Sequence, residues 1–275
     1  MKTFNRTITK RTFRASLATL IAILMAIIMQ RRFETNLGRP DFFSGYMLLA
    51  TCLGLMLLSM RKRLLVLPLG SVAIWQQAHQ YLGLFAVASY LMHAGPSVQG
   101  VFEISLSILF WTISLSGILG WYINYSTPKR MVAAGPAVLR DDITSLRRQI
   151  AERAYAIALI AAGKLESSTL AEHYLQRLQT FFLKRRSFAY CLVPNGWQRR
   201  ELLHDLDQMI RYLGPAGRSS QATLCQLVRE KDDLDFQWAM QNRLRGWVIV
   251  HVSLVWSFFV LVACHVYMVH RFHGI

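Results

Sequence analysis

Four histidines set inside apolar runs constrain this chain more than any other feature. His251 and His265 stand fourteen residues apart in the hydrophobic stretch 246–269, and His79 and His93 stand fourteen apart in the stretch 76–94. At 100° per residue such an offset falls about 40° short of four full turns, so each pair shares one helix face, about 21 Å apart along the axis. Ionisable side chains at membrane depth are costly, face the interior of a bundle and mark functional sites. Any fold for this chain has to give these imidazoles partners.

Composition sets the class. With 53% hydrophobic and only 17% charged residues, the chain is too apolar for a soluble domain and too charged to lie wholly in a membrane. Both kinds of segment are expected. The net charge of +16 comes from Lys and Arg clustered beside apolar runs, the pattern of the positive-inside rule rather than of a nucleic-acid binder, and no nucleic-acid motif is present. Cys52, Cys191, Cys225 and Cys264 form neither CxxC nor CxxCH. That spacing indicates no thiolate metal site and no covalent c-type haem, so any haem has to be held by histidine.

Taken in order, Lys2, Arg6, Lys10, Arg11 and Arg14 precede an apolar run over 15–30 that stops at Arg31 and Arg32. Sixteen residues are short for a span but suffice if the flanking arginines snorkel, and the run is expected to be an uncleaved signal-anchor helix. A transit or signal peptide is the other reading of this acid-free N-terminus, although no small-residue cleavage site follows. The second span is expected over 42–60, ending in Arg61-Lys62-Arg63. The stretch 64–75 contains Pro68 and Gly70 and is expected at the interface. The third span covers 76–94, closed by Gly95-Pro96. The fourth covers 102–125, beginning beside Glu103 and ending in Trp121, Tyr122 and Tyr125 before Pro128-Lys129-Arg130, and the fifth covers 246–269.

Residues 126–245 carry 19 basic and 12 acidic residues. Apolar positions recur there at helical spacing, as in Leu170, His173, Tyr174, Leu178, Phe181 and Phe182. Breaks at Gly163, Pro194-Asn195-Gly196 and Gly214-Pro215-Ala216-Gly217 divide the segment into about four helices. There is no GxGxxG, Walker loop, cysteine cluster or triad spacing. Gly214 to Gly217, followed by Arg218-Ser219-Ser220, reads as a turn with a helix cap, with a phosphate cradle as the alternative. His173 and His204 read as solvated. The segment's expected role is docking another subunit or the anionic lipid surface. The expected fold is an all-α membrane protein: membrane helices 1–4 in residues 1–125, a small helical cytoplasmic domain over 126–245, and the fifth helix with an outer-side tail over 246–275. About five transmembrane helices form a haem-binding bundle.

With the N-terminus inside, the cytoplasmic side holds 27 basic residues and the outer side 4, namely Arg31, Arg32, Arg39 and Arg271. The chain is expected in a bacterial inner membrane with its C-terminus outside. The third and fifth helices then run parallel, pairing His79 with His251 and His93 with His265. Neutral imidazole is a good axial ligand for haem iron, and two histidines on facing helices can clamp one porphyrin, so two haem b groups are expected. Gly83, one turn after His79, would leave room for the macrocycle. Basic residues near the helix ends, Arg243, Arg245 and Arg271, are candidates to pair with propionates.

Two histidines about fourteen apart on each of two parallel helices resemble the bis-histidine dihaem b-type cytochromes. These include the quinol-oxidising cytochrome b group, the cytochrome b anchors of respiratory dehydrogenases and the ferric-reductase-like membrane domains. Placement on the third and fifth spans looks most like the last of these. The resemblance implies an electron-transfer subunit of a membrane oxidoreductase complex, linking a quinone pool or cytoplasmic donor to an outer redox partner such as a c-type cytochrome or iron–sulfur protein. The chain departs from ferric-reductase-like proteins in having no flavin and nicotinamide module after the last span, so a self-contained NAD(P)H reductase is not expected. His270 and His273, beyond the apolar core, read as surface residues or a quinone or partner contact. The competing reading is a non-redox scaffold or transporter whose histidines join helices or relay protons.

The charge asymmetry yields a direct test. Reporter fusions at Ser219 and after Ile275 are expected to give opposite sidedness, and matching sidedness would show the span count to be wrong, first of all at residues 64–75.

Overall fold

A computed structural model describes residues 2–36, 39–61, 71–95, 100–133, 135–136, 138–163 and 168–272, with side chains described from residue 11 and omitting those of 57–61. Among the described residues every regular element is helical. In chain order they are α1 (Lys2–Thr35), α2 (Pro40–Arg61), α3 (Val72–Ala94), α4 (Val101–Ala133), α5 (Arg140–Ala162), α6 (Ser168–His173), α7 (Gln179–Leu183), α8 (Phe188–Leu192), α9 (Trp197–Met209) and α10 (Pro215–Phe272). A π turn over Tyr174–Leu178 joins α6 to α7, and a 3₁₀ turn over Ile210–Tyr212 follows α9. Among the described residues three helices are long and apolar enough to cross a membrane: α1 from Arg11, α4 and α10. Their apolar side chains are mostly turned outward, as Leu20, Ile21, Leu24 and Ile28 of α1 are, an arrangement suited to lipid rather than water. In α3, Gln76, Gln77, His79 and Gln80 make the early turns polar.

Several boundaries differ from those read in the sequence. Helix α3 begins at Val72 rather than 76, so the end of the stretch 64–75 is helical, while residues 64–70 lie outside those described. Helix α4 continues to Ala133 through Pro128. That proline removes one backbone bond near the end of an already established helix, which does not end it. Most consequentially, no new helix starts at Gly246: α10 is unbroken from Pro215. A single interior glycine costs about 1 kcal/mol, too little to stop a helix in which every neighbour favours continuation. The Gly214-Pro215 step is a helix start with proline at its first position, and Arg218 closes it by donating from Nε to the Leu213 carbonyl at 3.1 Å.

The chain forms two compact units, one comprising Met1–Trp121 with His251–Ile275, the other Tyr122–Val250. In the first, neighbouring helices alternate in direction. Along α1 and α3 the contacts rise together, from Arg11 with the Ala73 carbonyl, through Ser16 with Tyr81, to Gln30 with the Met92 carbonyl. Along α2 and α3 they run oppositely, Ser44 meeting His93 and Gly54 meeting Leu82. Helices α4 and α10 are antiparallel too, with Phe102 at His265, Phe110 at Phe258 and Ser116 at His251. Cys52, Phe110 and Phe258 form the buried centre, with Val87 and Tyr90 packed on them. Tyr90 stacks on Phe110 at 4.2 Å and donates to Ser107 Oγ at 2.6 Å. Phe258 is seven residues from both His251 and His265, so this aromatic layer lies midway between the two ends of the histidine helices.

The second unit is an ordinary apolar core with a charged centre. Ile143, Ile150, Ala154, Ala158 and Ala161 form the buried stripe of α5 and pack with Leu170, Tyr174, Leu178, Leu206, Leu224 and Leu227. Small alanines let the helices approach closely. Inside, Asp235 is fully buried and Lys231 is 1% exposed. Asp235 is ion-paired with Lys231 Nζ at 2.5 Å, with Arg186 Nε at 3.3 Å and with Arg147; Arg186 also reaches Asp232. Burial holds Asp232 above the usual carboxylate range with Arg186 opposing it, and burial draws Lys231 below its ordinary range against the pull of Asp235. The cluster ties α5, the 184–187 connection and α10 together. His173, expected to be solvated, has its Nε2 buried without a hydrogen-bond partner among the described residues, and burial lowers its pKa; His204 is exposed.

Removing one member of a buried ion cluster strands its partners, at a cost of about 3–5 kcal/mol. Asp235→Asn is therefore expected to destabilise the protein by that amount, as measured by thermal or denaturant unfolding of the detergent-solubilised chain. Exchange at the exposed pair Arg148 with Glu152 is expected to leave stability within about 0.5 kcal/mol.

Candidate functional site

The histidines of α3 and α10 meet in the order that parallel helices require. His93 and His265 face each other with ring centroids 6.3 Å apart and planes at 83°. At the other end of the same helices His79 and His251 lie within electrostatic reach of one another. All four are half-buried. No cluster of three or more His, Cys, Asp or Glu side chains converges among the described residues.

Each pair is held by side chains that reading along the sequence did not single out. Ser44 of α2 uses its one proton on the Asp41 carbonyl of its own helix at 3.1 Å, and its oxygen lies 3.2 Å from His93 Nδ1. Ser116 of α4 donates to the Ile113 carbonyl at 2.7 Å, and its oxygen lies 2.7 Å from His251 Nδ1. Each hydroxyl therefore bridges a carbonyl of its own helix and the Nδ1 of an imidazole on another helix. A hydrogen bond to one ring nitrogen fixes the orientation of the imidazole.

The residue after each serine is glycine, and it supplies space. A Cβ on Gly45 would come within 3.0 Å of His93 Cε1, and one on Gly117 would stand 4.0 Å from His251 Cε1. Ser44-Gly45 and Ser116-Gly117 are the only Ser-Gly dipeptides in the chain, and their recurrence in two apolar helices is the signal that could have identified them. His265 stacks on Phe102 at 6.3 Å and 13°. His79 differs: its Nδ1 is buried with no well-formed hydrogen bond among the described residues, the Leu55 backbone of α2 being its polar neighbour.

The remaining residues singled out by sequence lie variously. Gly83 has open space where a side chain would extend, nothing lying within 4 Å. Arg243 is half-buried, with Nη2 3.4 Å from Thr127 Oγ1 and its Nε buried without a partner among the described residues. Arg245 and Arg271 are exposed. His270 donates from Nδ1 to the Val266 carbonyl at 2.7 Å, so its Nε2 accepts from the Tyr46 hydroxyl at 2.6 Å; Phe42 packs edge-on against the same ring. His273 lies outside the described residues.

Comparison with family models, curated proteins and solved structures finds no match to this chain.

The glycines make opposite predictions. Gly45→Val is expected to push His93 from its seat and destabilise the protein by about 1–3 kcal/mol, the usual cost of overpacking. Gly83→Ala, entering open space on a helix, is expected to be neutral or to stabilise by up to about 1 kcal/mol. Thermal unfolding of the two variants separates the outcomes.

Proposed function

We propose that this chain is a membrane electron-transfer subunit, a dihaem b-type cytochrome in which α1, α2, α3, α4 and the end of α10 cross the membrane. The observation that carries the reading is the approach of His93 to His265, with Nδ1 of His93 and of His251 each hydrogen-bonded to a serine hydroxyl. His93 and His265, whose ring centroids stand 6.3 Å apart, would hold one haem. His79 with His251 would hold the second group. Ser44 and Ser116 orient the ligand nitrogens, while Gly45, Gly117 and the space beside Gly83 keep bulk away from the rings. Haem iron, when bound, supplies reversible one-electron transfer between its ferric and ferrous states. The layer of Tyr90, Phe110 and Phe258 excludes water between the two ligand pairs. With the N-terminus cytoplasmic, the two sites lie toward opposite faces of the membrane. Electrons pass between a quinone pool or cytoplasmic donor and a redox partner on the outer side.

One observation also fits a second reading. Ser44–His93 and Ser116–His251 join different helices, α2 to α3 and α4 to α10, as purely structural interhelical bonds would. Colour separates the two. The purified protein is expected to bind about two b-type haems, extractable by acidic acetone; a pyridine haemochrome assay that finds no haem leaves the scaffold reading standing. His79→Ala and His251→Ala are expected to lose the same redox component, and His93→Ala and His265→Ala the other. Retention of both components by all four variants would end the cytochrome reading.

A further inference from the structure

Between Glu172 and Glu201 the sequence contains no acidic residue, yet it contains Arg177, Lys184, Arg185, Arg186, Arg199 and Arg200. Ion pairs occupy three of these six. Arg177 bonds Glu201 and Asp205, Arg186 reaches Asp232 and Asp235, and Arg199 bonds Asp233 at 2.8 Å. Lys184, Arg185 and Arg200 are exposed and have no ion-pair partner among the described residues.

The same segment is divided by burial into two faces. Phe181, Phe182, Tyr190 and Cys191 point into the core of their unit. Leu183, Phe188, Leu192, Val193 and Trp197 point out, at 57 to 79% exposure. Five large apolar side chains held in water within fifteen residues, rimmed by unpaired cations and free of acids, form the composition that inserts at a lipid headgroup boundary. There the aromatic and aliphatic groups enter the acyl edge and the cations meet lipid phosphates. Within these fifteen residues no acidic side chain interrupts the apolar and basic ones. Among the described residues three helices are long and apolar enough to cross a membrane, so a lipid surface belongs to this chain's surroundings.

We propose that the face formed by Leu183, Phe188, Leu192, Val193 and Trp197, with Lys184, Arg185 and Arg200, docks on the headgroup region of an anionic membrane. Recognition is by phosphate charge and shallow apolar insertion. The surface is independent of the histidine pairs and of whether they hold haem.

The test uses the full-length chain in nanodiscs of phosphatidylcholine, with or without phosphatidylglycerol. In a Cys264→Ser background the remaining cysteines, Cys52, Cys191 and Cys225, are buried, so Val193→Cys takes a bimane label selectively. Gly196→Cys, where a side chain meets nothing within 4 Å, provides a second position should the first perturb folding. Both labels are expected to be quenched by brominated lipid and shielded from aqueous iodide, unlike a label at the exposed Ser219. Each surface cation contributes about a fivefold factor to binding an anionic membrane. Lys184→Glu with Arg185→Glu is therefore expected to lower the docked-to-undocked ratio at least about tenfold in discs containing phosphatidylglycerol, and less in phosphatidylcholine alone. Labels open to iodide and untouched by brominated lipid overturn the proposal. Labels shielded from iodide but not quenched by lipid also overturn it, and assign the face to a second copy of the chain.

Discussion

An imidazole placed within an apolar helix bundle has two nitrogens, one a donor and one an acceptor, and no water to satisfy either. Much of the first unit follows from that requirement. Serine hydroxyls on α2 and α4 meet Nδ1 of His93 and of His251, and each serine is itself anchored to a carbonyl one turn earlier in its own helix.

Helix direction is bound up with the same requirement. The alternation of α1 to α4, with α10 antiparallel to α4, brings α3 and α10 together pointing the same way, so equal spacing on the two helices becomes coincidence in space. Had they been antiparallel, His79 would have met His265. Between the two tiers the polar groups give way to Phe110, Phe258 and Cys52. The apolar layer keeps the tiers separate and gives the unit its packed centre. Glycines enter where rings need to lie against a backbone, and Gly45 against His93 is the tightest instance.

The second unit meets the cost of buried charge differently. Asp235 gathers Lys231, Arg147 and Arg186, so no single charge in the group is left alone. Such clusters add little net stability compared with an apolar core, but they penalise any packing that leaves a member unpaired. Here they select one placement of the 184–187 connection against α5 and α10. That placement buries Tyr190 and Cys191 and, by the same rotation of the chain, turns Phe188, Leu192 and Val193 outward.

The sequence by itself determined the helical class, the membrane-length apolar runs and the two fourteen-residue histidine offsets. Periodicity and hydropathy are local properties that survive without knowledge of the fold. It was misleading about where helices end: Gly246 and Pro128 look like boundaries and are not, because termination depends on what the following residues pack against as well as on local propensity. The direction in which His173 faces was equally hidden, since half-burial is decided by neighbours distant in the chain. Ser44-Gly45 and Ser116-Gly117 were visible as a repeated dipeptide, but nothing local distinguishes a serine satisfied within its own helix from one that also holds a histidine on another. Only tertiary structure decided that, because an interhelical hydrogen bond is a property of two surfaces and their register, and neither helix contains that register alone.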